Sequence, residues 1–309
     1  MRILVVCSKN SGKVAPFITE QVDSLSKTGL IIDYFTIQGK GFFGYLKNLD
    51  KLNLKISEFN PTVIHAHYGL SGLMANLQRK VPVVTTYHGS DINNAKVYPF
   101  SKICILLSAF NIFVSEKNMI RAPQSIKRDL KKVLIPCGVN IDLFKPIDKE
   151  AARKKLGLNF EKKLVLFAGA FQNKVKNASL AQQAVASLHD VELLELNGFT
   201  RDQVALLMNA VDCVLMTSFT EGSPQFIKEA MACNCPIVSV NVGDVSELIE
   251  GVDGCFMSSY DLVDVENKLK LALTFNEKTE GRQQIIDKGL DTETVAKRIV
   301  RVYEKVINN

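Results

Sequence analysis

The sequence predicts an α/β protein made of two successive Rossmann-like halves, each a parallel sheet flanked by helices. Three observations carry this. The chain has 309 residues, and at roughly 100–200 residues per domain that is room for two. Short apolar runs alternate with longer amphipathic stretches, the βαβα rhythm that buries a parallel sheet between helices. The rhythm pauses over residues 136–146, which hold Gly138 and two prolines, and then restarts.

In the first half, residues 3–7 read as a strand. A helix follows with Val14, Phe17, Ile18, Val22 and Leu25 on one face. Residues 31–37 form a second strand and 42–57 a helix. A strand at 62–66 leads to a helix near 71–78, and 83–86 and 109–114 are further strands. In the second half, strands are expected at 164–168, 191–196, 212–216 and 237–240. Helices are expected at 178–188, 202–209, 224–233 and 261–273. A last helix, 294–306, has Val295, Ile299, Val302, Tyr303 and Val306 in register. The expected domains are 1–147 and 148–309, with the last helix returning to the first domain. Two such halves in succession imply a ligand cleft between them, at the carboxyl ends of the strands.

Hydrophobic content of 47% and charged content of 23% are ordinary for a globular chain. The longest apolar stretch, 103–114, is interrupted by Ser108 and Asn111 and falls short of the ~18 residues a membrane helix needs. The first eight residues are strand-like and too short for a secretory signal, so a cytoplasmic location is expected. Cys7, Cys104, Cys137, Cys213, Cys233, Cys235 and Cys255 show no paired Cys-x2-Cys spacing, so neither zinc nor a disulfide framework is expected. Residues 1–150 carry a balance of +9 and 151–309 one of −3. The densest basic stretch is Arg121, Lys127, Arg128, Lys131 and Lys132. A basic half suits an anionic partner, either a phosphate-bearing molecule or the inner face of a membrane. It equally suits a plain solvated face. No nucleic-acid partner is expected.

The strongest local signal runs from Ser218 to Ala232: Ser218-Phe219-Thr220-Glu221-Gly222-Ser223-Pro224-Gln225-Phe226-Ile227-Lys228-Glu229-Ala230-Met231-Ala232. It follows a predicted strand and opens a helix. Ser223 is expected as N-cap and Pro224 as the first helical residue. Backbone N–H groups at such a terminus favour anions, and a diphosphate is a natural guest. Glu229 would lie about 12 Å along the axis from Glu221, too far for an acid/base pair on one bond. The spacing suits hydroxyl recognition at two points of a long ligand. It is equally that of a capped surface helix with two solvated glutamates.

Glu221 and Glu229, followed by Ala230-Met231-Ala232, Pro236-Ile237-Val238 and Val242-Gly243-Asp244, resemble the donor-site signature of the retaining glycosyltransferases of family 4, which adopt the GT-B fold. Ile135-Pro136-Cys137-Gly138-Val139-Asn140 with Phe144-Lys145-Pro146 is similar to that family's interdomain linker. Tyr87-His88-Gly89-Ser90-Asp91 resembles its His-Gly loop, His65-Ala66-His67-Tyr68-Gly69 the strand end before it, and Lys176-Asn177 its phosphate-binding region. The pieces run in family order across nearly the whole chain. The resemblance implies two Rossmann-like domains facing across a cleft, with the C-terminal helix crossing back to the N-domain. It implies sugar transfer from a UDP- or GDP-linked donor to a glycan or lipid-linked acceptor in cell-surface polysaccharide synthesis. No cofactor is expected, and with no Asp-x-Asp pair suited to a diphosphate-bound metal, no metal either. Glu229 would hold the ribose hydroxyls, and Glu221 the donor sugar beside the Gly222-Ser223-Pro224-Gln225 backbone. Lys176 would neutralise the diphosphate and His88 would touch the sugar near its anomeric carbon. Gly12 would let backbone approach the phosphates, and His67 and Asp91 would lie on the acceptor side.

Three departures stand out. Gly169 is followed by Ala170 where the family carries an Arg. The segment after 191–197 leads directly to Gly198-Phe199-Thr200-Arg201, as if a strand–helix unit were missing. The loop at Lys9-Asn10-Ser11-Gly12-Lys13 has one glycine rather than two. They keep open a non-catalytic partner or nucleotide-sugar binder. A nucleotide-sugar epimerase is the other open reading. A dinucleotide-dependent dehydrogenase is disfavoured, because the first loop lacks Gly-x-Gly-x-x-Gly.

Overall fold

The computed structural model describes residues 1–123, 131–159 and 161–308. Lys127 and Arg128 of the basic stretch lie outside them. The chain divides into two compact units, unit 1 comprising 1–138 with 292–309 and unit 2 comprising 139–291.

Unit 1 holds β1 (Arg2–Ser8), β2 (Ile31–Ile37), β3 (Val63–His67), β4 (Val83–Tyr87), β5 (Phe110–Phe113) and β6 (Lys132–Leu134). They form one all-parallel sheet in the order β2-β1-β3-β4-β5-β6. The interior strands are buried along their length, as a sheet covered on both faces requires. Around it run α1 (Pro16–Ser26), α2 (Gly41–Leu46), α3 (Leu49–Phe59), α4 (Gly69–Asn76), α5 (Ser90–Asn93), α6 (Tyr98–Leu107) and α7 (Glu116–Ile120). The helix expected over 42–57 is two helices. Asn48 breaks it: its side-chain amide, 9% exposed, donates to the carbonyls of Gln38, Gly44 and Tyr45, which holds the chain in a turn.

Unit 2 holds α8 (Lys149–Leu156), β7 (Lys163–Phe167), α9 (Ala178–Ala186), β8 (Val191–Glu195), α10 (Arg201–Ala210), β9 (Cys213–Met216), α11 (Gln225–Ala232), β10 (Ile237–Val240), α12 (Val245–Ile249), β11 (Cys255–Ser258), α13 (Leu262–Thr274) and α14 (Gly281–Asp287). Its sheet order is β11-β10-β9-β7-β8, again all parallel. The last helix, α15 (Thr292–Ile307), belongs to unit 1. Its Val295, Ile299, Val302 and Tyr303 join Val22 and Leu25 of α1 and Ile3 and Val5 of β1 in one apolar cluster.

Each sheet reverses its winding once. In unit 1 the reversal lies between β1 and β3, in unit 2 between β7 and β9. Loops leaving the carboxyl ends of strands on either side of such a reversal splay apart, and ligands of open α/β sheets bind there.

Candidate active site

In unit 2 the two loops beside the reversal are stitched together. The Thr217 hydroxyl donates to the carbonyls of Lys176 and Asn177, and Phe219 N–H donates to Val175 C=O. Lys176 ends a short 3-10 turn, Lys174–Lys176, whose first residues are held by the Asn173 side chain. Lys176 lies across Gly169, which has φ +146. A Cβ on that glycine would come within 3.3 Å of the lysine chain. The ammonium of Lys176 reaches Glu221 Oε1 at 2.6 Å, both side chains being partly exposed. The resemblance gave these two residues separate roles, and the fold joins them in an ion pair.

Glu221 leads into α11, with two differences from the sequence reading. Pro224 stands at the N-cap and the helix starts at Gln225. The Ser223 hydroxyl does not cap. It donates to Asp244 Oδ2 at 2.5 Å and accepts from Lys228 Nζ at 2.6 Å. Lys228 is fully buried. A buried ammonium must be satisfied, and that need turns Ser223 away from the cap. Gly243, with φ +58, carries the backbone so close that a Cβ would lie 2.6 Å from Gly222 O. Val242-Gly243-Asp244 therefore supports the Gly222-Ser223 turn.

Glu229, 3% exposed, accepts from Arg201 Nη2 at 2.6 Å. Arg201 opens α10, whose Thr200–Gln203 capping box fixes the turn. Its guanidinium lies 4.8 Å from the Phe144 ring centroid. The sequence reading missed Arg201 as a site residue. Thr200-x-x-Gln203 marked a helix start, but nothing local marked its partner. It also missed an exposed aromatic step: Phe219 stacks on Tyr260 at 5.8 Å, and Tyr260 Oη donates to Ser218 C=O.

In unit 1, Gly12 has φ +89 and open space where a Cβ would be. His67 and His88 meet at 3.0 Å between Nδ1 and Nε2, and their rings stack. His67 is fully buried and stacks on His65 as well. His65 is engaged at both nitrogens, by Tyr303 Oη at 2.6 Å and Thr86 Oγ1 at 2.8 Å. Burial lowers the pKa of His65 to about 3 and that of His67 well below its ordinary value, with His65 and His88 adding to the latter. Both imidazoles are neutral near pH 7. Asp91, 3% exposed, accepts from the backbone N–H of Gly69, His88 and Gly89 and so clamps the His-Gly loop to the start of α4. Burial raises its pKa to about 6, against those hydrogen bonds. His67 and Asp91 thus face the interior of unit 1 in this structure. Among the described residues no group of three His, Cys, Asp or Glu side chains is placed to hold a metal ion. No helix among them is long and apolar enough to cross a membrane.

Two parallel-sheet Rossmann-like units, each with candidate residues gathered at a winding reversal, define a protein of the GT-B fold class. The chain belongs to the group 1 glycosyltransferases of family 4. The Glycosyltransferase Family 4 model matches residues 5–143 and the Glycosyl transferases group 1 model matches 161–274. TuaC of Bacillus subtilis, a glycosyltransferase named for teichuronic acid biosynthesis, is 26% identical over 227 residues, covering 63% of this chain and 57% of TuaC. The chain spans about half the length of the curated relatives it matches. Sucrose-phosphate synthase from Thermosynechococcus elongatus superposes with a TM-score of 0.84 at 16% identity, over 100% of this chain and 99% of that one. Anabaena HepE in complex with UDP and glucose gives 0.77 at 18% identity, over 99% and 100%. At such identities the likeness to solved structures is one of fold.

Proposed function

We propose that this chain moves a sugar from a UDP- or GDP-linked donor to a glycan or lipid-linked acceptor, with retention of anomeric configuration. The observation that carries the reading is the Lys176–Glu221 ion pair, built from the two loops beside the unit 2 reversal. Departure of a diphosphate builds negative charge on the leaving oxygen, and a positioned ammonium stabilises it. Glu221 holds that ammonium and contacts the donor sugar, as the family resemblance implies. Glu229, oriented by Arg201, takes the ribose hydroxyls. The donor roles of Gly222, Ser223, Pro224 and Gln225, and those of Gly12 and His88 in unit 1, rest on the family resemblance. The complex of HepE with UDP and glucose supports a uridine donor. The similarity to TuaC, named for teichuronic acid biosynthesis, supports work on cell-surface polysaccharide, at the inner membrane face where the basic first half would meet anionic lipid.

A thermal-shift panel of nucleotides and nucleotide sugars tests this on wild type and Glu229→Ala. A ligand that binds the folded state raises apparent stability by about 2.7 kcal/mol at a hundred times its dissociation constant. A selective shift lost in Glu229→Ala supports the donor site and names base and sugar. No shift with any donor sinks it. Ala170, standing where the family has Arg, favours a second reading, a non-catalytic nucleotide-sugar binder. A shift without turnover on any acceptor would select it.

A further inference from the structure

Besides the donor loops, two or more lysines line each of two cavities among the described residues. In unit 2, Lys149 and Lys163 line a space that also holds Asp212. Asp212 already pairs with both, together with Arg153, at 2.6, 3.5 and 2.7 Å, so the cations there already share a carboxylate. The other lies in unit 1, at the carboxyl end of β2. It encloses about 530 Å³ and is lined by Lys40, Lys47 and Lys51 with Thr36, Gln38 and Asn48. No carboxylate is among its lining residues. The three lysines are exposed, and among the described residues none of them forms an ion pair.

We propose that this cavity binds a phosphate group carried by the acceptor. Its walls are built, not incidental. Asn48 ties the turn as described. Gly39 approaches Gly44 so closely that a Cβ would meet its carbonyl at 2.6 Å. Asn10 and Gly39 exchange two hydrogen bonds, 2.7 and 2.9 Å, which couples the cavity rim to the Gly12 loop. Lysine ammoniums serve as point charges for phosphate, and three without carboxylates make a net positive recess that an anion neutralises. Because the sheet is parallel, the cavity opens at the same edge as His67 and His88. Strands lie about 4.8 Å apart, so the end of β2 is roughly 10 Å from the end of β3 and roughly 14 Å from that of β4. A phosphate held there leaves room for a sugar reaching toward His88. This rests on the transferase reading, which takes His88 to mark the reacting end. The phosphate has two possible sources, a soluble sugar phosphate or a lipid headgroup. Phe43, 77% exposed in α2 beside the lysines, would meet acyl chains in the second case.

Lysine acetylation footprinting, read by mass spectrometry with UDP saturating, tests the site. Glucose 1-phosphate, glucose, and vesicles of phosphatidylglycerol with phosphatidylcholine are the probes. Glucose 1-phosphate is expected to slow labelling of Lys40, Lys47 and Lys51 several-fold, with glucose inert. Protection by the vesicles alone would assign the phosphate to a lipid. Unchanged labelling with both anionic probes overturns the proposal. UDP's own thermal shift is measured in parallel, and K40Q/K47Q/K51Q should keep it. Its absence in wild type would sink the donor reading while leaving the lysine footprint to stand or fall by itself.

Discussion

Arg201 and Glu229, 28 positions apart in sequence, meet at 2.6 Å with the glutamate almost wholly buried. A carboxylate so placed costs free energy unless a cation satisfies it, so each side chain fixes the other's position.

Removing either member should therefore cost nearly the same donor affinity. Hydrogen bonds to charged groups contribute about 1.5–3 kcal/mol, which is roughly ten- to a hundred-fold in dissociation constant. Titration calorimetry with UDP on Arg201→Ala, Glu229→Ala and the double variant checks this. The double variant should be little worse than either single. Fully additive losses would mean that the pair does not act as a unit.

Lys176→Ala should lower kcat by about a hundred- to a thousand-fold, the scale of losing one preorganised transition-state donor. Its KM for donor should move much less, and Lys176→Arg should recover part of the rate. An equal change in KM with kcat untouched would assign Lys176 to ground-state binding alone.

Lys228→Met keeps the length of the side chain and deletes its ammonium. Ser223 and Gln225 then lose the donor they share, and Asp244 keeps a Ser223 hydroxyl that is no longer anchored. We expect unfolding to be easier by about 1.5–3 kcal/mol, seen as a lower urea midpoint by circular dichroism. An unchanged midpoint would show that the buried ammonium contributes nothing to unit 2.

Stability should fall as pH drops below neutrality. His65 has its folded pKa depressed to about 3 from 6.5. Its contribution is complete above pH 6.5 and drains as pH falls toward 3, at about 1.4 kcal/mol per pH unit. His67 acts in the same direction. Asp91 opposes them between pH 6 and about 4, because its raised carboxyl takes up a proton that the unfolded chain does not. Two histidines outweigh one carboxyl. Melting temperatures at pH 7 and 5 should show the loss, and His65→Gln should flatten it. A flat profile in wild type would contradict the neutral buried histidines.

Much of the architecture was legible along the chain. The strands at 3–7, 31–37 and 237–240 each show as a compact apolar run, and β1, β2 and β10 fall there. The helix at 294–306 showed its apolar stripe, and α15 buries it. Glu221 and Glu229 could be named from the stretch around one helix start, and Lys176 from the family resemblance. Other features carry no such signal. β6 has three residues and opens on a lysine, too short for a period to register. The apolar run at 103–114 contains both the end of α6 and all of β5, which hydrophobicity alone does not divide.

The sequence by itself determined where apolar faces recur, and hence two parallel sheets and the loops at their ends. Only the tertiary structure decided which side chains meet: Lys176 with Glu221, Arg201 with Glu229, Ser223 with Lys228 and Asp244, and Asn48 with three carbonyls at a break in an expected helix. The physical reason is range. Periodicity and capping act within a few residues of one element, whereas buried charges and amides are satisfied by whatever the packed fold brings within about 3 Å.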